Sequence, residues 1–436
     1  MKWDLLLTPK RLGLEEYHRE ENDNRNEFQR DYDRLIFSSS FRRLQNKTQV
    51  FPLPGSIFVH NRLTHSLEVA CVGRSLGNRI AKHIHHANPN MEEIGSIVSA
   101  ACLAHDLGNP PFGHSGERAI GSFFSEGNGK TLASSLTPEE WSDITLFEGN
   151  ANAFRLLTHQ FNGRRKGGFA LTYSTLASIV KYPYPSTEAK SKAKFGYFKS
   201  ETDTYNTIAT TLGIKPDPEN PHKHMRHPLV FLVEAADDIC YQIMDIEDAY
   251  KLRILSQKQT CELLMQFIPA TKHDYIHKIC QMVSDPNEQV AYLRSSVIGN
   301  LIEACTNAFV DNEEKILSGH LNKPLIKLIP DKLKDAYEQC SKVAAESIYC
   351  SPMVLDIELA GYKIISTLLE ELTLAVTSPN STYSKQLLKR IPPQYEISTP
   401  DLYGRIQAIL DYISGMTDVY ALDLYRKITG MSLPSL

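Results

Sequence analysis

The chain has 436 residues, 42% of them hydrophobic and 22% charged, with a formal net charge of −4. That balance is the one of an ordinary globular protein, and so small a net charge selects no partner by itself. No run approaches the ~20 apolar residues of a membrane helix, and the start, MKWDLLLTPKR, is too short and too polar for a secretory signal. The expected compartment is the cytoplasm, with no membrane partner.

The eight cysteines form no CxxC pair, and several sit in apolar runs, such as Cys102 in SAACLAH and Cys240 in DDICYQI. Reduced core thiols are expected rather than disulfides or a zinc cluster.

In chain order, residues 15–34 carry dense charges of both signs and read as a solvated helix face. QVFPLPGSIFVH (49–60) reads as a hairpin turning at Pro54-Gly55-Ser56. Residues 94–107 place Ile94, Ile97, Val98 and Ala101 on one helical stripe that His105 continues. Helical stripes also cover 229–250, 361–376 and 402–428. An all-α fold with one small β-hairpin follows.

Residues 160–227 stand apart. Eleven Lys/Arg face five Asp/Glu there, a local +6 that leaves −10 for the remainder. GRRKGG and SKAKFG read as loops. Beside a metal site such an insert suits a polyphosphate substrate or a nucleic-acid surface, and a solvated loop is the ordinary alternative. No linker divides the chain. The expectation is a single unit: a core over about 25–260 that includes the basic insert at about 160–227, and a C-terminal helical region over about 261–436.

Three segments carry the chemistry. In HNRLTHSLEV, Arg62 and His65 lie three apart and share a helix face. In LAHDLGNPPFGHSGE, His105 and Asp106 are adjacent, and adjacent helical residues point ~100° apart. They converge on one ion only if the helix ends there, and Leu107-Gly108-Asn109-Pro110-Pro111 supplies that ending. A second histidine, His114, follows closely. In FLVEAADDICYQIMDIEDA, Glu234, Asp237, Tyr241, Asp245 and Asp248 form one polar stripe on a helix that is otherwise apolar. An exposed acidic face is the ordinary alternative. The surrounding apolar surface argues for burial instead, and buried carboxylates need partners or a metal. His65, His105, Asp106 and Asp237 are thus the ligand set of a hydrolytic site for Mn, Fe, Mg or Zn. Arg62 beside them suits a phosphate.

The pattern H…HD…D resembles the HD-domain metallohydrolases. FRRLQNKTQVFP (41–52), HNRLTHSLEV (60–69), HDLGNPPFGHSGE (105–117), FEGNANAFR (147–155), KYP (181–183), RHPLVFLVEAADDICYQIMDIEDA (226–249) and SGMTDVYA (414–421) look like the dGTPase-type deoxynucleoside triphosphate triphosphohydrolases. The resemblance implies hydrolysis of a dNTP, dGTP foremost, to a deoxynucleoside and tripolyphosphate with Mn, Mg or Fe. It implies metal ligation by His65, His105, Asp106 and Asp237, with Asp106 also catalytic. It implies His114 at the leaving group, oriented by Glu117. Sugar contacts map to Gln49, Tyr241 and Asp245, and phosphate contacts to Arg62, Lys181 and Tyr182. It further implies homo-oligomers (hexamers or tetramers), nucleotide activation and single-stranded DNA binding. In the vertebrate branch a Lys follows the last metal Asp and a His-Glu pair serves acid catalysis. Here those places hold Asp238 and Phe147-Glu148, which leaves the phosphates to the basic insert and the proton to His114. The bare ligand set also permits a nucleotide phosphodiesterase or nucleotidase, and the basic insert also permits a single-strand-binding regulatory protein.

Overall fold

Asn61 opens the helix that carries the first histidine. Its side chain accepts the Thr64 N–H at 3.0 Å, and Thr64 Oγ1 accepts the Asn61 N–H at 3.1 Å. This capping box occupies two groups that a helix start leaves open. The computed structural model describes residues 1–16, 24–53, 58–84, 86–189 and 193–433.

The helices that matter for the site are α1 (Glu27–Ile36), α2 (Arg62–His83), α3 (Ile94–Ala104), α4 (Gly113–Ser125), α5 (Gly149–Thr158), α6 (Tyr173–Ile179), α7 (Val230–Lys251), α8 (Pro286–Val310), α9 (Asp331–Val343), α10 (Pro352–Thr377), α11 (Leu402–Ser414) and α12 (Asp418–Ile428). Among the described residues there is no strand, only isolated bridges. Ten of the eleven residues of α3 are buried. A helix apolar on every side belongs at the centre, and α1, α2, α6 and α7 pack around it. α8 closes over α2 and α7. A second apolar cluster joins α4 to α10, α11 and α12. The histidine and aspartate segments lie where the two clusters meet. No described helix is long and apolar enough to cross a membrane.

The helical reading holds, with three amendments. The stripe over 402–428 is two helices, broken at Gly415-Met416, with Thr417 capping the second. The charged stretch 15–34 is more than a solvated face: α1 begins at Glu27, and its Asp31 is fully buried. Arg11 Nη1 reaches Asp31 at 2.6 Å and Thr172 Oγ1 donates to it at 2.6 Å. The hairpin turn expected at 54–56 lies outside the described residues. Its flanks meet in one antiparallel bridge, Thr48 to Asn61. All eight cysteines are free, as expected, and Cys102, Cys240, Cys305 and Cys340 are buried.

His227 leads into α7 and is buried. Its Nδ1 accepts the Leu229 N–H at 3.2 Å, so the proton sits on Nε2, which donates to the Leu6 carbonyl at 3.3 Å. Burial pushes its pKa down to about 4. The unfolded chain, with an ordinary imidazole near 6.5, therefore binds a proton more tightly than the folded one. Stability from this group is present above pH ~6.5 and is lost as pH falls towards 4. Urea midpoints measured from pH 7 to 4.5 are expected to fall less steeply in His227→Asn than in the unaltered protein; parallel slopes would contradict this.

Candidate active site

α3 stops at Ala104, and His105 still has helical angles, φ −58° and ψ −33°. The chain then turns, so His105 and Asp106 both face inward. His105 Nδ1 donates to the Cys102 carbonyl at 2.6 Å, which leaves Nε2 for the centre. From α2, His65 sets its ring edge-on to His105, with centroids 5.4 Å apart. From α7, Asp237 Oδ1 lies 3.0 Å from His65 Nε2 and 3.5 Å from His105 Nε2. The ligand atoms of His65, His105 and Asp106 all lie within 4.8 Å of one another. Arg62, one helical turn from His65, donates to Asp106 Oδ2 at 2.7 Å, and Asn109 donates to Asp106 Oδ1.

The electrostatics follow from burial. Burial alone would raise Asp106 and Asp237. The charges of Arg62, His105 and His65 hold Asp106 below its ordinary value, and those of His105 and His65 hold Asp237 well below. Burial would lower His105, yet the two carboxylates carry it up to about 9. The protein therefore neutralises its own carboxylates with an imidazolium when no cation does so. Two imidazoles and two carboxylates suit a divalent transition ion. The Cys102 carbonyl behind His105, and Arg62 and Asn109 behind Asp106, are the supporting contacts such a site requires.

A cleft of about 270 Å³ opens beside this cluster, and Gln49, Arg62, His105, Asp106, Asp237 and Tyr241 are among its walls. His114, Glu117, Lys181 and Tyr182 line it too. His114 is 66% exposed, so a ligand can reach it, and its Nδ1 meets Glu117 Oε2 at 2.7 Å. Glu117 Oε1 accepts the Gly149 N–H at 2.8 Å, at the start of α5. Burial would raise Glu117, but His114, Lys194 and Gly149 hold it below the usual carboxylate range. Glu148 caps α5 through the Asn150 N–H at 2.6 Å and takes Lys194 Nζ at 2.6 Å. Lys181 Nζ lies 3.1 Å from Glu234, which also takes Arg226 at 2.7 Å.

Two expected residues do not line the cleft. His65 lies beneath it, 2% exposed. Asp245 is buried, and its Oδ2 accepts the Tyr349 hydroxyl at 2.7 Å. The polar stripe of α7 is buried only in its second half: Asp245 and Asp248 are buried, whereas Glu234, Asp237 and Tyr241 are half-buried along the cleft. Every carboxylate on it has a partner: Glu234 and Asp237 as above, Asp245 with Tyr349, Asp248 with His60 at 2.9 Å. Of the basic insert, Lys181 and Lys194 reach the cleft, Lys199 pairs with Glu140 at 2.8 Å, and Lys190 and Lys192 lie outside the described residues.

Sequence reasoning missed five participants. Asn109 read only as part of a helix stop, and Asn150 stood in the FEGNANAFR word without a role assigned to it. Tyr349 arrives from the turn after α9, and no spacing links it to Asp245. Asp418 explains the SGMTDVYA word: its carboxylate accepts the Thr48 N–H at 2.8 Å and the Phe112 N–H at 3.0 Å. Lys47 Nζ ties the same loops together by donating to the Asn109 and Ser414 carbonyls, each at 2.7 Å.

The HD domain family matches residues 62–167, and the phosphohydrolase-associated domain matches residues 328–427. A deoxyguanosinetriphosphate triphosphohydrolase-like protein of Synechocystis sp. is 37% identical over an alignment of 450 residues, spanning 99% of this chain and 100% of that protein. One of Pseudomonas aeruginosa (strain LESB58) is 38% identical over 451, spanning 100% of both. A deoxyguanosinetriphosphate triphosphohydrolase of Salmonella paratyphi A is 31% identical over 492, spanning 93% of this chain and 94% of its own. The chain belongs to the deoxyguanosinetriphosphate triphosphohydrolase family. It is a phosphohydrolase of that family, and HD domains bind divalent metal. The HD match contains His65, His105, Asp106, His114 and Glu117; Asp237 lies beyond it on α7.

Two outcomes follow for this family member. A His105 that titrates near 9 must lose its proton before it can ligate. Mn binding followed by calorimetry in buffers of different ionisation enthalpy should release a proton at pH 7, with affinity rising towards pH 9 and levelling above it. Affinity independent of pH over that window would contradict the charge balance described.

Gly149 is a joint. A Cβ there would lie 2.3 Å from Asn109 Oδ1 and 2.6 Å from Glu117 Oε1. Helix propensity favours alanine over glycine by at most ~1 kcal/mol, which offsets part of the cost of moving those two side chains, so the variant should still fold. Displacing the partners of Asp106 and His114 together should weaken metal binding and cut turnover by about a hundredfold, the cost of ångström-scale misplacement. Full activity in that variant would show that neither partner needs its present position.

Proposed function

We propose that this chain hydrolyses deoxynucleoside triphosphates, dGTP foremost, to the deoxynucleoside and inorganic tripolyphosphate. The observation that carries the reading is that one cleft collects the histidine–carboxylate cluster, a histidine backed by a carboxylate, two lysines and a tyrosine of α7. A divalent ion (Mn, Mg or Fe) held by His65, His105, Asp106 and Asp237 would supply Lewis acidity, polarising a phosphoryl oxygen and making water a better nucleophile.

The chain's own residues do the remaining work. Water adds to the α-phosphorus and the bond to the 5′ oxygen breaks, so the water oxygen leaves with the tripolyphosphate. His114 delivers the proton that the 5′ alkoxide needs, and Glu117 keeps the imidazole oriented and charged. Arg62, Lys181 and Tyr182 contact the phosphates, and Lys194 from the basic insert joins them. Gln49 Oε1 is buried with no partner, an acceptor suited to the 3′ hydroxyl. Asp245, buried outside the cleft wall with Tyr349 on its Oδ2, supports the sugar side of the cleft from behind. Tyr241 packs against the sugar and leaves no room for a 2′ hydroxyl.

With Mn or Mg and dGTP, the expected products are deoxyguanosine and tripolyphosphate, resolved by ion-exchange chromatography. Production of dGMP and pyrophosphate, or inertness towards all four dNTPs singly and mixed, would overturn the reading. Tyr241→Ala should raise GTP turnover relative to dGTP while metal content stays unchanged. A sugar preference as strict as before would remove Tyr241 from the sugar site.

A further inference from the structure

α7 sets an order along the cleft. Asp237 stands at the histidine–carboxylate cluster, and Tyr241, one turn towards the carboxyl end, takes the sugar in the reading above. Glu234, one turn the other way, holds Lys181 at 3.1 Å. Phe231 stands six residues before Asp237, ~9 Å along the helix axis. With the sugar at Tyr241 and the reacting phosphorus at the cluster, the phosphate chain runs towards the amino-terminal end of α7.

A second cavity, of about 250 Å³, opens at that end. Lys181 and Tyr182 line both cavities, so they form the wall the two share. Tyr184, Lys223, Arg226 and Phe231 line the second one as well. The loop that carries Lys223 and Arg226 is fixed by its backbone: the Met225 N–H donates to the Lys215 carbonyl and the His224 N–H to the Pro183 carbonyl, each at 2.9 Å. Arg226 Cζ lies 4.3 Å from the centre of the Phe231 ring, and Lys223 Nζ lies 4.2 Å from that of Tyr184. Stacking on the rings holds both cations in place.

Their charge is not balanced. Glu234 answers both Lys181 and Arg226, the latter at 2.7 Å. Asp217, the other carboxylate in the wall, accepts the Glu219 N–H at 2.9 Å. Lys223 Nζ donates to the Glu188 carbonyl at 3.2 Å, and among the described residues it has no ion-pair partner. Three cations against two carboxylates suit an anion that arrives with charge of its own.

We propose that this second cavity receives the part of a phosphate chain beyond the third phosphate, which extends the activity to deoxynucleoside 5′-tetraphosphates. The bond broken is unchanged. The water oxygen joins the α-phosphorus, the 5′ oxygen leaves with the proton from His114, and all four phosphates depart as tetrapolyphosphate. This rests on the triphosphohydrolase reading above and adds where the tail of the substrate lies.

The test gives the full-length protein dGTP or deoxyguanosine 5′-tetraphosphate at matched free Mn and separates the released polyphosphates by ion-exchange chromatography. The tetraphosphate should yield deoxyguanosine and intact tetrapolyphosphate. Its KM should lie roughly three- to tenfold below that of dGTP, the value of one added charge-assisted contact. Lys223→Glu should remove that advantage and leave dGTP kinetics unchanged, and Lys223→Arg should keep it. Cleavage of the tetraphosphate tenfold less efficient than that of dGTP overturns the inference alone, as does a Lys223→Glu effect that is absent or equal for both substrates. Failure of dGTP itself to yield tripolyphosphate removes both readings.

Discussion

Two carboxylates, one buried and one at the cleft wall, set against two imidazoles are the constraint around which this molecule is arranged. An unpaired ion in the interior costs several kcal/mol even after relaxation, so Asp106 and Asp237 can persist only if their surroundings supply charge and hydrogen bonds. α2 brings Arg62 and His65 on one face, fixed by the Asn61 capping box. The end of α3 brings His105, and the turn after it brings Asn109. Removing any one partner leaves a buried anion short of compensation. The imidazolium on His105 is the provisional remedy, and a divalent cation is the permanent one. Burying α3 on all sides places its last turn deep enough for this chemistry to be shielded from bulk water.

The same logic runs along α7. Glu234, Asp237, Tyr241, Asp245 and Asp248 follow one stripe, and each carboxylate meets a different segment: the basic insert, the histidine pair, the turn at Tyr349, and His60. A helix rises ~1.5 Å per residue, so the spacing between charge-binding and ring-contacting positions is set by backbone geometry. An inserted residue within α7 would rotate every later member by ~100° and break those pairings together.

Much of this was legible in the residues. The helix stop after Asp106 could be read from Gly108 and the two prolines, and the burial of Asp245 and Asp248 on the α7 stripe from the apolar residues flanking it. Periodicity reports which face a residue takes, not how deep it lies. Asp245 therefore shares a stripe with Tyr241 but sits behind Tyr349. Contacts between distant segments leave no periodic trace, which hid Tyr349 and the Asp418 anchor, and Asn109 beside Asp106 was hidden because the helix has already ended there. The basic insert was visible as composition alone. Composition could not tell that Lys194 reaches the cleft while Arg164 and Arg165 face a different cavity. The stripe over 402–428 hid its break because apolar spacing continues across Gly415-Met416.

Asp418 has a consequence for how the protein is made. Each backbone N–H donated to a buried carboxylate contributes about 1.5–3 kcal/mol, and Asp418 holds one from the Gln49 segment and one from the loop before α4. The whole histidine–carboxylate cluster is synthesised by residue 237, and amino-terminal segments fold first on the ribosome. The two loops that frame the cleft nevertheless wait for a residue 181 positions later. A partly translated chain can gather its histidines and aspartates, but its walls are not locked. Completion of the cleft is thereby coupled to the arrival of α12, and a prematurely terminated chain lacks the lock.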